Sequence, residues 1–169
     1  MKFLALIPAR GGSKGIPRKN VRLMCGKPLI SYSISNALNS KYIPDVIVST
    51  DDDEIKRISS LYGAGVTERP AKLATDNVTL DPVIYHAMIE AERKNQVRYD
   101  VIITMQPTSP LLSVQTLDNA IEYFINGNFD TVISGINNPH LAWSKVDDKY
   151  MPLYKERQNR QFLPEHLME

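Results

Sequence analysis

The sequence predicts an α/β fold with a mostly parallel β-sheet, and two alternating patterns carry this prediction. Short unbroken runs of apolar and β-branched residues are typical of strands buried on both faces of a parallel sheet, and they lie at residues 3–7, 46–48, 101–103 and 131–133. Segments with apolar residues at helical spacing lie between these runs. Strands that alternate with helices through short connections form parallel sheets with right-handed crossovers.

Four helices are predicted from this spacing, at residues 30–38, 55–61, 83–91 and 117–125. Pro28 suits the opening turn of the first helix, where its missing N–H does no harm. Asp51 and Glu54 resemble a capping box at the start of the second. Gly127 is expected to end the fourth.

The pattern changes after residue 136. Residues 137–169 are rich in asparagine, proline and charged side chains, with short strands predicted near residues 142–146 and 150–153 before an irregular basic segment. We therefore predict an α/β domain at residues 1–136 and a segment of different character at residues 137–169. A last strand–helix pair is missing from the pattern, so either the sheet is small or the chain stops before the natural end of the domain.

The composition narrows the class of protein. A chain of 169 residues fits one domain of ordinary size. Its single cysteine, Cys25, excludes an internal disulfide and indicates a reducing compartment. The apolar run at residues 3–7 is too short for a signal-peptide core, and no stretch reaches the roughly 18 apolar residues of a membrane span. We expect a cytoplasmic protein that does not enter membranes.

Charge is distributed unevenly along the chain. The formal net charge is only +1, from 20 basic and 19 acidic side chains. Residues 1–44 nevertheless contain eight basic side chains and no acidic one, since the first acid is Asp45. Such asymmetry predicts a site for an anion near the N-terminus.

A glycine-rich basic loop at residues 10–22 follows the first predicted strand. Ligands of open α/β sheets bind outside the carboxyl ends of the strands, which is where this loop is expected to lie. Gly11, Gly12 and Gly15 permit positive φ angles and let backbone N–H groups approach an anion closely. Neither the Walker pattern nor the dinucleotide fingerprint matches the loop.

Arg10 and Lys14 supply a forked donor and a point charge, the two common kinds of phosphate contact. A mobile basic loop is the alternative structural interpretation. A nucleic-acid surface is disfavoured, because the loop lacks interleaved aromatic residues and the rest of the chain is acidic. We expect no nucleic-acid partner.

Five blocks of sequence, in order, resemble those of the CMP-sialic acid synthetases, also called acylneuraminate cytidylyltransferases, which include legionaminic and pseudaminic acid cytidylyltransferases. The blocks are residues 7–20, 49–51, 69–76, 106–110 and 160–164. The resemblance implies a three-layer Rossmann-like nucleotidyltransferase fold with a mostly parallel sheet. Residues 1–136 would be its nucleotide-binding α/β domain, and residues 137–169 would begin a small arm for dimerisation and acceptor-sugar binding near the C-terminal end.

The resemblance also implies an activity. CMP would pass from CTP to the anomeric hydroxyl of a sialic-acid-like nonulosonic acid, giving the CMP-sugar and pyrophosphate, with Mg²⁺ assisting. Such transfer depends mainly on positioning and charge neutralisation. The implied partners are CTP, the sugar and a second copy of the chain in a homodimer. A nucleotidyltransferase for a different sugar or base, or a non-catalytic nucleotide-binding module, are the alternatives.

Residue roles follow from the same resemblance. The nucleotide would be bound by Arg10, Ser13, Lys14, Asn20, Arg69 and Thr79. Lys14 would also act in catalysis by stabilising charge on the leaving pyrophosphate. Arg160 matches an essential arginine of the family, and Gln106 would contact the acceptor sugar.

Two departures from the family pattern bear on these expectations. Residues 77–80 offer only one hydroxyl, on Thr79, where the family usually presents several near the cytosine, so the choice of base stays open. The family's late Asp-x-Asp pair, which holds Mg²⁺, is not found in the chain. The resemblance therefore implies a truncated chain with impaired activity and leaves the metal ligands unknown. Asp51, Asp52 and Asp53 are interpreted as a helix start rather than a metal cluster.

Overall fold

The computed structural model describes residues 1–127, 129–138 and 141–156, together with residues 159, 163, 167 and 168. The chain divides into two compact units, Met1–Asn126 and Gly127–Glu169. The boundary predicted at residue 136 stays a prediction. Among the described residues, no helix combines the length and apolar character needed to cross a membrane.

The unit Met1–Asn126 alternates strands and helices as predicted. Its strands are β1 (Phe3–Pro8), β2 (Leu23–Met24), β3 (Lys27–Pro28), β4 (Asp45–Thr50), β5 (Gly65–Glu68) and β6 (Val101–Thr104). Its α-helices are α1 (Leu29–Leu38), α2 (Asp53–Leu61), α3 (Leu80–Asn95) and α4 (Val114–Asn126), with short 3₁₀ turns at Lys19–Val21 and Ala71–Leu73. The four predicted helices are confirmed.

Strands β5, β4, β1 and β6 form a parallel sheet in that order, so their carboxyl ends meet at one edge. In the register, Ala5 of β1 lies opposite Val46 of β4 and Ile103 of β6. The predicted α/β fold with a parallel sheet is confirmed. Strands β2 and β3 form a separate small hairpin.

The side chains of β1 alternate between two cores. Phe3, Ala5 and Ile7 pack into a cluster with buried residues of α1, α2 and α4. Leu4 and Leu6 pack into a second cluster with Ile47 of β4 and residues of α3. Because successive side chains of a strand point to opposite faces, this alternation places helices on both faces and gives three layers.

Two strand predictions need correction. Residues 131–133 were expected to form a strand, but they have no regular structure, and Ile133 is 67% exposed. A β-branched run becomes a strand only where it packs against cross-strand neighbours, so propensity alone did not decide the structure of this segment. Strand β5 was missed, because it has only four residues, including Gly65 and Glu68, and lies at the edge of the sheet.

In the unit Gly127–Glu169, the described residues form two small antiparallel pairs. Strand β7 (Ile136–Asn137) pairs with β10 (Leu167–Met168). Strands β8 (Trp143–Val146) and β9 (Lys149–Pro152) form a hairpin, which confirms the two strands predicted there. Its two turn residues, Asp147 and Asp148, have φ angles of 46° and 62°. Positive φ at both central positions is the geometry that suits the twist of a tight hairpin.

Candidate functional site

A cavity of about 780 Å³ opens at the carboxyl edge of the sheet, where Pro8 ends β1 and Gln106 follows β6. Seven of the eight predicted site residues line it: Arg10, Ser13, Lys14, Asn20, Arg69, Thr79 and Gln106. The structure thus brings together side chains from the N-terminal loop, the segment after β5 and the segment after β6. The eighth, Arg160, lies outside the described residues.

Arg10 and Lys14 both contact one carboxylate, that of Asp76. The Arg10 Nη2 atom lies 2.8 Å from Asp76 Oδ1, and the Lys14 Nζ atom lies 2.5 Å from Asp76 Oδ2. The hydrogen bond from Lys14 is the main cause that lowers the pKa of Asp76; burial opposes it, and the hydrogen bond from Arg10 lowers the pKa further. The two predicted phosphate contacts are therefore bridged by an internal anion.

Asn20 is buried beside the loop. Its Nδ2 atom donates a hydrogen bond to the backbone carbonyl of Arg10 at 3.1 Å. The turn that carries Asn20 follows Arg18, whose φ of 57° lies in the left-handed region. The Asn20 side chain thus joins the two ends of the loop, in addition to lining the cavity.

The backbone of Gly11 lies close against Asp51 and Asp52. Its N–H donates to Asp51 Oδ1 at 3.0 Å, and a Cβ atom at this position would lie 2.7 Å from Asp52 Oδ2. None of the glycines of the loop, Gly11, Gly12 and Gly15, has a positive φ angle, so the predicted use of that freedom is wrong. The residue that takes the left-handed conformation in this loop is Arg18.

The side chain of Arg18 attaches the loop to the start of α2. Its guanidinium pairs with the carboxylates of Asp52 and Glu54, and one of the Asp52 contacts, Nη2 to Oδ1, measures 3.0 Å. Hydrogen bonding to Asp52 and then Glu54 raises the pKa of Arg18, and the Arg18 guanidinium is the main cause that lowers the pKa of Asp52.

The cap of α2 differs from the prediction. Asp52, and not Asp51, is the N-cap residue, and its Oδ1 accepts a hydrogen bond from the N–H of Ile55 at 3.0 Å. Asp51 is instead bound to the N–H of Gly11, and Asp53 pairs with Lys56 at 3.1 Å. The three aspartates therefore serve the loop and the helix start.

Arg69 is buried at the carboxyl end of β4, with 6% of its surface exposed. Its Nη2 donates to the carbonyl oxygen of Ser49 at 2.7 Å, and its Nε donates to Ser49 Oγ at 3.3 Å. Burial is the main cause that lowers the pKa of Arg69; the charge of Arg10 lowers it further, and Asp51 opposes both. A buried cation facing a cavity favours an anionic ligand there.

Thr79 occupies the N-cap position of α3, but its side chain makes no capping hydrogen bond. The hydroxyl is therefore not used by the helix, and the residue lines the cavity between Val78 and Leu80. Gln106 is exposed in the segment after β6. Its Oε1 accepts a weak 3.5 Å hydrogen bond from Thr108 Oγ1.

Asp76 is a functional candidate for which no role was predicted, although it lies in the block at residues 69–76. The available signal was its charge, since it is an acid in the block that also contains Arg69, a predicted nucleotide contact. No group of three or more His, Cys, Asp or Glu side chains that could hold a metal occurs in the described part of the chain.

Sequence comparison identifies the family. The profile of a family described as Cytidylyltransferase matches residues 4–166. The chain is 45% identical over 126 residues to the pseudaminic acid cytidylyltransferase of Campylobacter jejuni serotype O:2, covering 74% of this chain and 54% of that protein. It is 43% identical over 126 residues to the CMP-N,N'-diacetyllegionaminic acid synthase of Legionella pneumophila, covering 72% and 53%.

An N-acylneuraminate cytidylyltransferase of Oncorhynchus mykiss is 38% identical over 143 residues, covering 84% of this chain and 32% of that protein. The chain thus spans about half, or less, of the length of these curated relatives.

Solved structures share the fold. A CMP:2-keto-3-deoxy-manno-octonic acid synthetase complexed with CTP matches with a TM-score of 0.60 and 23% identity, over 75% of this chain and 48% of that one. A 4-diphosphocytidyl-2C-methyl-D-erythritol synthase matches with a TM-score of 0.68 and 12% identity, over 98% and 72%. The resemblance seen in the sequence is confirmed by the profile and the relatives, and the chain belongs to the cytidylyltransferase family.

Proposed function

We propose that the protein transfers CMP from CTP to the anomeric hydroxyl of a sialic-acid-like nonulosonic acid and releases pyrophosphate. The observation that carries the proposal is the shared cavity, which gathers at the carboxyl edge of the sheet seven residues that the family resemblance predicted. The names of the relatives, which describe cytidylyltransferases of pseudaminic and N-acylneuraminic acids, support the substrate class.

In the proposed reaction the oxygen of the sugar hydroxyl forms a bond to the α-phosphorus of CTP. The bond from that phosphorus to the pyrophosphate oxygen breaks in line, and the hydroxyl proton passes to solvent. Arg10 and Lys14 would neutralise the charge that grows on the pyrophosphate. Ser13 and Asn20 would position the nucleotide beside them, and the buried charge of Arg69 would add to the attraction for the triphosphate.

The remaining predicted contacts have separate tasks in the proposal. The hydroxyl of Thr79, which makes no capping hydrogen bond, is the candidate contact to the base. Gln106, exposed after β6, is the candidate contact to the acceptor sugar. Arg160 is proposed to contact the sugar carboxylate or a phosphate, for which a forked donor is suited.

Magnesium is proposed only on the family resemblance. The carboxylates beside the cavity do not fit a ready metal site, because Asp51 is bound to Gly11, Asp52 to Arg18 and Asp76 to two cations.

A homodimer and a cytoplasmic location complete the proposal. The β8–β9 hairpin exposes the apolar side chains of Trp143, Tyr150 and Met151, which supports contact with a second copy of the chain. Light scattering of the purified chain would show a mass twice that of the monomer. The single, exposed cysteine supports a reducing compartment.

The test is a calorimetric titration with CTP, followed by measurement of pyrophosphate release with several nonulosonic acids. Lys14→Ala should weaken CTP binding at least about tenfold, because it removes a direct phosphate contact. Lys27→Ala, which removes an exposed lysine from β3 outside the cavity, is the matched control. Unchanged binding by Lys14→Ala would remove its phosphate role. CTP binding without turnover of any sugar favours the non-catalytic module.

A further inference from the structure

We propose that Asp76 competes with the nucleotide for Arg10 and Lys14, so that its carboxylate must leave both cations before the phosphates can bind. The proposal rests on the proposed function of the cavity as a triphosphate site. It assigns to Asp76 a role in setting the affinity for nucleotide and pyrophosphate.

The carboxylate of Asp76 contacts Arg10 and Lys14 in the way that a phosphate group would. The two oxygens of Asp76 are divided between the cations, with Oδ1 at 2.8 Å from Arg10 and Oδ2 at 2.5 Å from Lys14. Two oxygens on one centre that bridge two cations reproduce the way a phosphoryl group engages an arginine and a lysine. The carboxylate thus takes up the donors that a phosphate would use.

The negative charge of Asp76 would repel a bound triphosphate. A triphosphate that reached Arg10 and Lys14 with Asp76 still in place would bring its negative oxygens next to a carboxylate. The pKa of Asp76 is lowered by the two cations, so the group is ionised at neutral pH and cannot relieve the repulsion by holding a proton. Binding therefore exchanges one anion for another, and the observed affinity is the difference between the two.

The position of Asp76 makes the exchange mechanically easy. Residues 74–79 lie between the Ala71–Leu73 turn and α3 and have no helix or strand structure. The Asp76 side chain is 42% exposed, and that of Lys14 is 76% exposed. Both side chains can separate without opening either hydrophobic core, and Asp76 can turn toward solvent when a phosphate arrives.

The alternative role for Asp76 is to hold Arg10 and Lys14 in a productive position. The two roles predict opposite results. If Asp76 competes, replacing it with a neutral side chain of the same shape tightens the binding of anions. If Asp76 positions the cations, the same replacement weakens that binding.

The experiment measures calorimetric dissociation constants of CTP and of inorganic pyrophosphate for the full chain and for Asp76→Asn. We expect both ligands to bind at least about threefold more tightly to Asp76→Asn, since two partly exposed ion pairs no longer need to be broken. Asp76→Glu, which keeps the charge, should stay within about twofold of the wild type. Asp81→Asn removes an exposed carboxylate from the first turn of α3 and is the matched control for a general charge effect.

The proposal is wrong if Asp76→Asn binds these anions no more tightly than the wild type while its thermal unfolding midpoint is unchanged. It is also wrong if Asp81→Asn gains as much affinity as Asp76→Asn. Pyrophosphate separates this proposal from the proposed function. Tighter pyrophosphate binding by Asp76→Asn without CTP binding by any variant would support competition and contradict the nucleotide site. If no variant binds either anion, both are wrong.

Discussion

The guanidinium of Arg69 donates two hydrogen bonds to Ser49, one to the backbone carbonyl oxygen at 2.7 Å and one to the hydroxyl oxygen at 3.3 Å. The backbone N–H of Arg69 also donates to the carbonyl oxygen of Thr50 at 2.8 Å. The residue therefore ties the end of β4 to the segment that follows β5, and it does so beside the cavity.

Arg69→Lys should destabilise the fold by about 1–3 kcal/mol, because a lysine cannot reproduce two directed donors and would leave buried acceptors unsatisfied. The measurement is the free energy of unfolding in urea. Arg57→Lys, on the exposed face of α2, is the control and should change stability by less than about 0.5 kcal/mol. Equal stability of the two variants would show that the Ser49 contacts contribute nothing.

Gly11→Ala should destabilise the protein by about 1–3 kcal/mol, because the new methyl group would be forced against the carboxylate of Asp52. Gly12→Ala is a close control, since no atom beyond its two chain neighbours lies within 4 Å of its added Cβ. Thermal unfolding of both variants gives the comparison. A Gly11→Ala protein as stable as Gly12→Ala would contradict the close approach seen here.

Arg18→Gln should change how stability depends on pH. Arg18 lowers the pKa of Asp52 below its ordinary value of 3.8, so this pairing stabilises the folded state above that pH and is lost as the pH falls through the lowered value. With partial exposure the gap between wild type and variant should be about 0.5 kcal/mol at pH 7. It should narrow below pH 3.8 in urea unfolding measured down the pH scale. A gap of constant size at acidic pH would argue against this ion pair.

Thr79→Val should weaken CTP binding about three- to tenfold while leaving pyrophosphate binding unchanged, if its free hydroxyl contacts the base. Pyrophosphate, which has no base, serves as the internal control. Because Thr79 makes no capping hydrogen bond, the substitution should cost little stability. Equal loss of affinity for the two ligands would place its effect on the phosphates instead.

Much of the site could be predicted because parallel strands bring their carboxyl ends to one edge. Arg10 follows β1 and Gln106 follows β6, so these two residues had to become neighbours once both strands were recognised. Arg69 follows β5, which the pattern missed, and its place in the site was expected only from the family resemblance. The helices were predictable because their apolar spacing matches the faces that they bury.

The parts that could not be predicted depend on choices among similar side chains. Asp51 and Asp52 are adjacent acids, and only the path of the chain decides which one caps α2 and which one binds Gly11. The pairing of Asp76 with Arg10 and Lys14 depends on the fold of the segment after β5, which has no periodic pattern.

The place of β1 in the sheet has a consequence for the order of folding. Ala5 pairs with residues 41 and 98 positions further along the chain, so the first strand to be synthesised waits for β6 before both its edges are covered. Contacts of such long range slow the search for the native state. Because neighbouring strands cover both edges of β1 and residues Phe3–Ile7 are buried, we expect its amide protons to exchange with solvent only when the whole unit unfolds.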